Sequence, residues 1–299
     1  MTDAAPFISG TALTMAAFRA LESAKPRGER LFCDPYARRF LPEFQRALLA
    51  CAGVAPLRRV IEFYADRRGP GARTSGIART RLIDDWVSRE IECGVQQIVM
   101  LGAGFDCRAL RLPSISDITL FEVDRPSMIA RKNCLLDRES RVRLKLKRVS
   151  ADFLKDSLAD RLFDAGYSSK LKTLFLWEGV TNYLDDKSVA STFDFVACNA
   201  ALGSRIAFTY VHVDAVTGRF DAPGLQPLLR SLRKLGEPWT FGFNPETLPS
   251  YLAEHGLRLI ADLGAAEYRN RYWTTMNRRP VGYEFYRVAL AETINVAAR

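Results

Sequence analysis

The chain has 299 residues, 48% of them apolar and 26% charged, with a net charge of +9. That is ordinary globular composition, enough for one large α/β domain or two small ones with a substantial core. No apolar run of about 18 residues is present, so no helical membrane span is expected, and Met1 to Gly10 lacks the basic and apolar regions of a signal peptide. The six cysteines (Cys33, Cys51, Cys93, Cys107, Cys134, Cys198) form no Cys-x-x-Cys pair, and the two histidines, His212 and His255, lie far apart. The expectation is a cytoplasmic protein whose cysteines are reduced and mostly pack in the interior, with no metal site. The positive charge could draw nucleic acid, acidic lipid or anionic substrates. Solubility accounts for it as well, and neither a nucleic-acid nor a membrane partner is expected.

Residues 1–95 read as helical. Thr11 to Ala24 has apolar residues at helical spacing and stops at Lys25-Pro26-Arg27-Gly28. Asp34-Pro35 suits a cap and first turn for Tyr36 to Leu41. Leu57 to Arg68 reads as a helix ended by Gly69-Pro70-Gly71, Ala72 to Gly76 as a loop, and Ile77 to Cys93 as a strong helix ended by Gly94. Arg79 and Arg81 fall in its first turns.

From residue 96 strands and helices alternate, the sign of a parallel sheet covered on both faces. Strands are expected at Gln97–Leu101, Ile118–Val123, Val142–Val149, Thr173–Trp177 and Arg205–Val211. Helices are expected near Pro126–Arg138, Asp156–Phe163 and Asp185–Leu202. Leu257–Leu263 and Gly282–Glu292 read as later strands separated by a loop rich in Arg and Tyr. The first and fourth strands are solidly apolar, hence central; the third alternates with Arg and Lys, hence an edge. Residues 212–250 interrupt the alternation with a helix, Leu225–Leu235, and the aromatics Trp239, Phe241 and Phe243. Together with the N-terminal helices this insertion could roof the strand ends, where open α/β sheets bind ligands.

The centre of the pattern is Gln97-Ile98-Val99-Met100-Leu101-Gly102-Ala103-Gly104-Phe105-Asp106. A buried strand ends in Gly-x-Gly, whose glycines permit a tight turn and a close ligand approach. The next strand closes on Asp124, 22 residues after Gly102, the distance at which such folds set a carboxylate against a ribose. The third glycine of the dinucleotide fingerprint is missing, with Cys107, Arg108 and Ala109 in its place. That disfavours NAD and favours a nucleoside cofactor without phosphates, such as S-adenosylmethionine.

Five ordered blocks carry a resemblance: Ala78-Arg79-Thr80-Arg81-Leu82-Ile83-Asp84-Asp85; Leu101 to Asp106; Phe121-Glu122-Val123-Asp124-Arg125-Pro126; Ser150-Ala151-Asp152-Phe153; and Trp177-Glu178-Gly179-Val180-Thr181-Asn182-Tyr183-Leu184. Together they resemble the leucine carboxyl methyltransferase-like family of S-adenosylmethionine-dependent methyltransferases. Arg19-Ala20 and Asp34-Pro35-Tyr36-Ala37 are similar to its bacterial branch, which includes polyketide O-methyltransferases. The resemblance implies a Rossmann-like class I sheet in the order 3-2-1-4-5-7-6, a helical cap over 1–95 and a cofactor-binding core over 96–299 with a lid near 212–250.

It also implies roles. Arg79 would pair with the methionyl carboxylate of the cofactor. Gly102, Ala103 and Gly104 would contact its methionyl and ribose portion, and Asp124 the ribose hydroxyls. Asp152 would accept from the adenine amino group beside the Phe153 backbone, where a leucine is commoner, and Glu178 would face the reactive end. His212, just past the fifth strand, and Tyr183 are candidate catalytic residues, although a lone histidine is more often structural. Arg73, Thr74 and Ser75 form the stretch where contacts could vary, and Arg73, Arg79 and Arg81 would make the mouth basic.

The function expected is methyl transfer to a carboxylate or hydroxyl of a small, possibly anionic metabolite. Alternatives are methylation of a protein C-terminal carboxylate, an NAD-dependent oxidoreductase, and a non-catalytic cofactor- or RNA-binding protein. The sequence does not name the acceptor or the oligomeric state.

Overall fold

The computed structural model describes residues 9–141, 145–153, 155–273 and 282–294. Four helices precede the sheet: α1 (Gly10–Ser23), α2 (Glu43–Ala50), α3 (Ala55–Arg68) and α4 (Ala72–Glu92). Then follow β1 (Gln97–Leu101), α5 (Arg108–Arg111), β2 (Thr119–Asp124), α6 (Pro126–Arg141), β3 (Leu146–Ser150), α7 (Leu158–Asp164), β4 (Thr173–Trp177), α8 (Asp186–Asn199) and β5 (Arg205–Val211). The insertion holds α9 (Val213–Val216), α10 (Leu225–Lys234) and α11 (Leu248–Glu254). The chain closes with β6 (Leu257–Gly264), α12 (Ala265–Tyr272) and β7 (Tyr286–Thr293).

The strands form one sheet in the order β3-β2-β1-β4-β5-β7-β6. The first five are parallel, and β7 runs antiparallel between β5 and β6. This is the expected class I methyltransferase order. Every residue of β1 and β4 is buried, whereas β3, at the edge, alternates. Alternation in β1 sends Val99 and Leu101 to one face, against Trp177 and Phe193, and Ile98 and Met100 to the other, against Leu82 and Trp86. Both faces are covered, so a continuous apolar run is what this position requires.

The N-terminal helices share a separate core with the loop after β1: Ala16, Ala20 and Leu21 meet Phe40, Phe105 and Leu110. The rings of Phe40 and Phe105 stack at 4.4 Å. The insertion packs Leu225, Leu229 and Leu232 of α10 against Trp239 and Phe285.

Three expectations need correction. Ala72 to Gly76 is not a loop but the start of α4; Gly71 turns the chain at φ 78°, and a side chain there would lie 2.6 Å from the Gly282 backbone. The stretch after β6 is not simply a loop either. It forms α12, whose first turn is closed by Gly264 N donating to Glu267 Oε2 at 2.6 Å; residues 274–281 lie outside the described residues. Its Arg269 is buried and donates to Ser75 Oγ at 3.0 Å, so a charged residue that reads as solvated is structural. The cysteines are not mostly interior: Cys107 is buried, but Cys51, Cys93, Cys134 and Cys198 are exposed, on helix surfaces and ends. The expected third strand is observed as β3 from Leu146, and residues 142–144 of that expectation lie outside the described residues.

Candidate active site

The site begins where β1 ends. Gly102 adopts φ 69°, and a Cβ there would sit 2.4 Å from Val180 Cγ2, in the turn after β4. Only glycine fits that approach without displacing Val180. Gly102 N and Ala103 N both donate to Val123 O, at 2.9 and 3.0 Å, which folds the loop over the end of β2. Gly104 N then donates to Asp124 Oδ2 at 2.6 Å, and Arg125 N to Asp124 Oδ1 at 2.7 Å. Burial pushes the Asp124 carboxyl up, with the two backbone N–H groups opposing the shift. The structure therefore brings Gly102, Ala103, Gly104 and Asp124 to one place, with the carboxylate fixed in orientation and lone pairs left for further donors.

Arg79 and Glu178 approach from the other side. Arg79 Nε donates to Glu178 Oε1 at 2.9 Å, and its guanidinium lies 4.7 Å from the centre of the Tyr286 ring. Arg108 Nη1 donates to Glu178 Oε2 at 2.8 Å, and its Nε to Asp84 Oδ1 at 2.7 Å; it also pairs with Asp106. Burial would raise the Glu178 carboxyl, but Arg108 and Arg79 outweigh it and hold the group below its ordinary range. Asp106 is lowered likewise to about 2, with Arg108, Arg19 and Arg111 overcoming burial. The network continues outward through Arg111, which donates to Asp84 at 2.6 Å, and through Arg19, which joins Asp34 at 2.9 Å and the Phe105 carbonyl at 2.6 Å.

Asp152 and Phe153 follow β3, beside the end of β2, where Ala151 N donates to Asp124 O at 2.9 Å. Asp152 is half-buried, with Lys155 Nζ 3.8 Å from its carboxylate, and Phe153 packs on the sheet core. Tyr183 ends a short turn after β4; its hydroxyl lies 3.4 Å from Thr11 Oγ1, and burial raises it. His212 caps α9: its Nδ1 accepts from Asp214 N at 3.2 Å, and its ring meets Phe220 edge-on at 5.2 Å. Tyr210, near the end of β5, donates to Asp262 at 2.7 Å within the sheet.

The expected cluster of free positive charge is not formed. Arg73 donates to Asp66 and Glu62, Arg81 to Asp85, and Arg79 to Glu178. Each arginine at the mouth carries its own carboxylate, so the local field is much weaker than the residue types suggest.

Sequence reasoning missed Arg108 as a site residue, although it stands directly after the Gly-x-Gly loop, and missed Tyr286, which begins the last strand. Tyr283 was also invisible. It holds a left-handed φ of 63°, rare outside glycine, and electrostatically neighbours Tyr183, Tyr286 and Arg79. The signal for it lies in space rather than in order, since Gly282 crosses Gly71 and Pro70 backbone to backbone.

The family model for leucine carboxyl methyltransferase matches residues 12–197, from the cap through α8. The chain belongs to the leucine carboxyl methyltransferase family. A protein of Parafrankia sp. (strain EAN1pec), assigned as an S-adenosyl-L-methionine-dependent methyltransferase, is 35% identical over 262 residues, covering 84% of this chain and 77% of that protein. A protein of Mycobacterium sp. (strain KMS) with the same assignment is 29% identical over 290 residues, covering 87% and 91%. Among solved structures, a methyltransferase-like protein from Thermobifida fusca YX superposes with a TM-score of 0.58 at 17% identity, covering 93% of this chain and 94% of that one, and so shares the fold. As a member of the leucine carboxyl methyltransferase family, this chain is an S-adenosylmethionine-dependent methyltransferase.

The residues present fit that cofactor. The open backbone at Gly104, where a Cβ would meet nothing nearer than Gly102 O at 3.9 Å, leaves room for a ligand, the anchored Asp124 carboxylate suits a pair of hydroxyls, and the buried Arg79 fork suits a carboxylate.

Proposed function

We propose that the protein transfers a methyl group to the carboxylate of a small organic acid. The cofactor supplies a sulfonium methyl as electrophile, and the protein's task is to align a nucleophile with it. A carboxylate is already ionised at neutral pH and needs no base, whereas an alcohol or ordinary phenol does. The observation that supports a carboxylate is the state of Glu178. It is gripped by Arg79 and Arg108, which hold it ionised and weakly basic. His212 Nδ1 is engaged in a helix cap. Among the described residues at the strand ends, neither group is set up to take a proton.

In this reading Asp124 holds the ribose, Asp152 and the Phe153 backbone the adenine, and Gly102, Ala103 and Gly104 line the path between. Arg79 binds the methionyl carboxylate, with Glu178 positioning its fork. Residues 1–95 act as a cap and 212–250 as a lid that select the acceptor, and Tyr183 lines the acceptor side. The tyrosines round Arg79 and the paired arginines suit a mostly apolar acid with one charged end.

The test is a panel of carboxylic acids and matched phenols, scored by S-adenosylhomocysteine released. A carboxylic acid should turn over with kcat/KM nearly flat through neutrality, and His212→Asn, which keeps the cap, should leave that profile unchanged. Turnover of phenols alone, rising with a group near pH 7 that His212→Asn abolishes, would replace the carboxylate reading by a hydroxyl acceptor.

A further inference from the structure

Helix α3 is packed the wrong way round for an ordinary surface helix. Beside Ile61, which packs on the N-terminal core, its inward side chains are charged: Arg58 pairs with Glu29 at 3.1 Å, Glu62 with Arg73 at 3.3 Å and Lys25 at 3.5 Å, and Asp66 with Arg73 at 2.6 Å. Its outward side chains include four large apolar ones beside three arginines. Leu57, Val60, Phe63 and Tyr64 are 47%, 66%, 68% and 57% exposed. Of the eleven large hydrophobic residues exposed among the described residues, seven fall between Phe44 and Tyr64, on α2, α3 and their link. Scattered apolar residues on a surface need no explanation, but a continuous face of this kind marks a contact.

Charge decides what contact. The acids of α3, Glu62 and Asp66, both pair with Arg73, Asp66 while 38% exposed, and its exposed charges unpaired among the described residues are Arg59, Arg67 and Arg68; on α2 the exposed Glu43 is paired with Arg46, so the surplus on the face is cationic. Arg68 lies 4.8 Å from the centre of the Tyr64 ring, which holds the cation at the border of the apolar face. The whole chain is also positive, at +9. A second copy of this chain would bring a cationic rim against a cationic rim, which is unfavourable. An apolar layer beneath a sheet of negative charge complements both parts. We propose that the α2–α3 face seats on an anionic lipid surface, with Val60 and Phe63 at the acyl boundary and Arg59, Arg67 and Arg68 at the phosphates. This departs from the expectation that the chain has no membrane partner; it concerns contact with one leaflet, not a span. Through Arg73 the face is fixed to α4, the helix that carries Arg79.

The experiment is co-sedimentation of the full chain with sucrose-loaded vesicles of phosphatidylcholine alone and of phosphatidylcholine with phosphatidylglycerol, at low and high salt. Binding should require phosphatidylglycerol and weaken with salt. Val60→Asp with Phe63→Asp, and separately Arg59→Glu with Arg67→Glu and Arg68→Glu, should each lower the partition coefficient by at least about tenfold. These side chains are exposed, so thermal unfolding and S-adenosylhomocysteine binding should stay as in the parent. Arg230→Glu with Arg233→Glu, exposed on α10, is the control for net charge alone and should change partitioning little. Absence of binding to the anionic vesicles overturns the proposal, as does an equal loss in the α10 control. So does a dimer by light scattering that Val60→Asp with Phe63→Asp converts to monomer without any vesicle binding, since the face would then be an interface between copies.

Discussion

Arg108 and Glu178, seventy residues apart in the chain, meet at 2.8 Å. The same guanidinium reaches Asp84 on α4 and Asp106 in the loop after β1. One buried cation thus ties together the three segments that carry Arg79, the glycine loop and Glu178. Its side chain is 2% exposed, so its partners depend on it for charge balance.

Arg108→Met should therefore cost on the order of 3–5 kcal/mol, because it leaves buried carboxylates without their counter-ion. Urea unfolding measures this. Arg108→Lys should recover part of the charge but not the three-way geometry, because an ammonium lacks the planar fork. An Arg108→Met protein as stable as its parent would show that the network carries little.

Stability should fall in acid for a stated reason. Asp106 is held at about 2 and Glu178 below its usual range. A carboxyl depressed in the folded state stabilises the protein fully above its unfolded value and loses that contribution as pH drops through the folded value. For Asp106 the window runs from about pH 4 down to about 2, with on the order of 2 kcal/mol at stake. Unfolding free energies measured across that window should slope downward, and Asp106→Asn should flatten the slope.

Gly102→Ala combines a left-handed φ with a methyl 2.4 Å from Val180 Cγ2. The φ term alone costs about 1–2 kcal/mol. Adding Val180→Ala should relieve the contact but not the φ term, so the double variant should be more stable than Gly102→Ala and less stable than Val180→Ala. A double variant no better than Gly102→Ala would mean that the contact is not what excludes a side chain.

The sheet was legible because burial on both faces leaves a mark in the sequence. Ile98–Leu101 and Leu174–Trp177 are unbroken apolar runs, and the strand order 3-2-1-4-5-7-6 followed from the resemblance. Gly102 and Asp124 were legible for the same reason, since they sit at fixed points relative to strand ends. The rest depends on pairing across the fold. The sequence displays Arg73, Arg79 and Arg81 as a basic cluster, but the partners of Arg73 and Arg79, Asp66 on α3 and Glu178 after β4, come from other elements, and only Arg81 is paired within α4, by Asp85 one turn on. Strand alternation sees neither Tyr286 over Arg79 nor the Gly71–Gly282 crossing. α12 was read as a loop because its Arg and Tyr residues look solvent-bound, whereas Arg269 and Tyr268 are buried in contacts with distant residues.

The site assignment stands most directly on Asp124, and calorimetric titration of S-adenosylhomocysteine tests it. The parent should bind S-adenosylhomocysteine and not NAD. Asp124→Ala, shown to be folded by its thermal transition, should bind more weakly by at least about tenfold, as expected for losing charge-assisted hydrogen bonds worth on the order of 1.5–3 kcal/mol each. A folded Asp124→Ala protein with undiminished affinity would contradict the placement of the ribose at the end of β2.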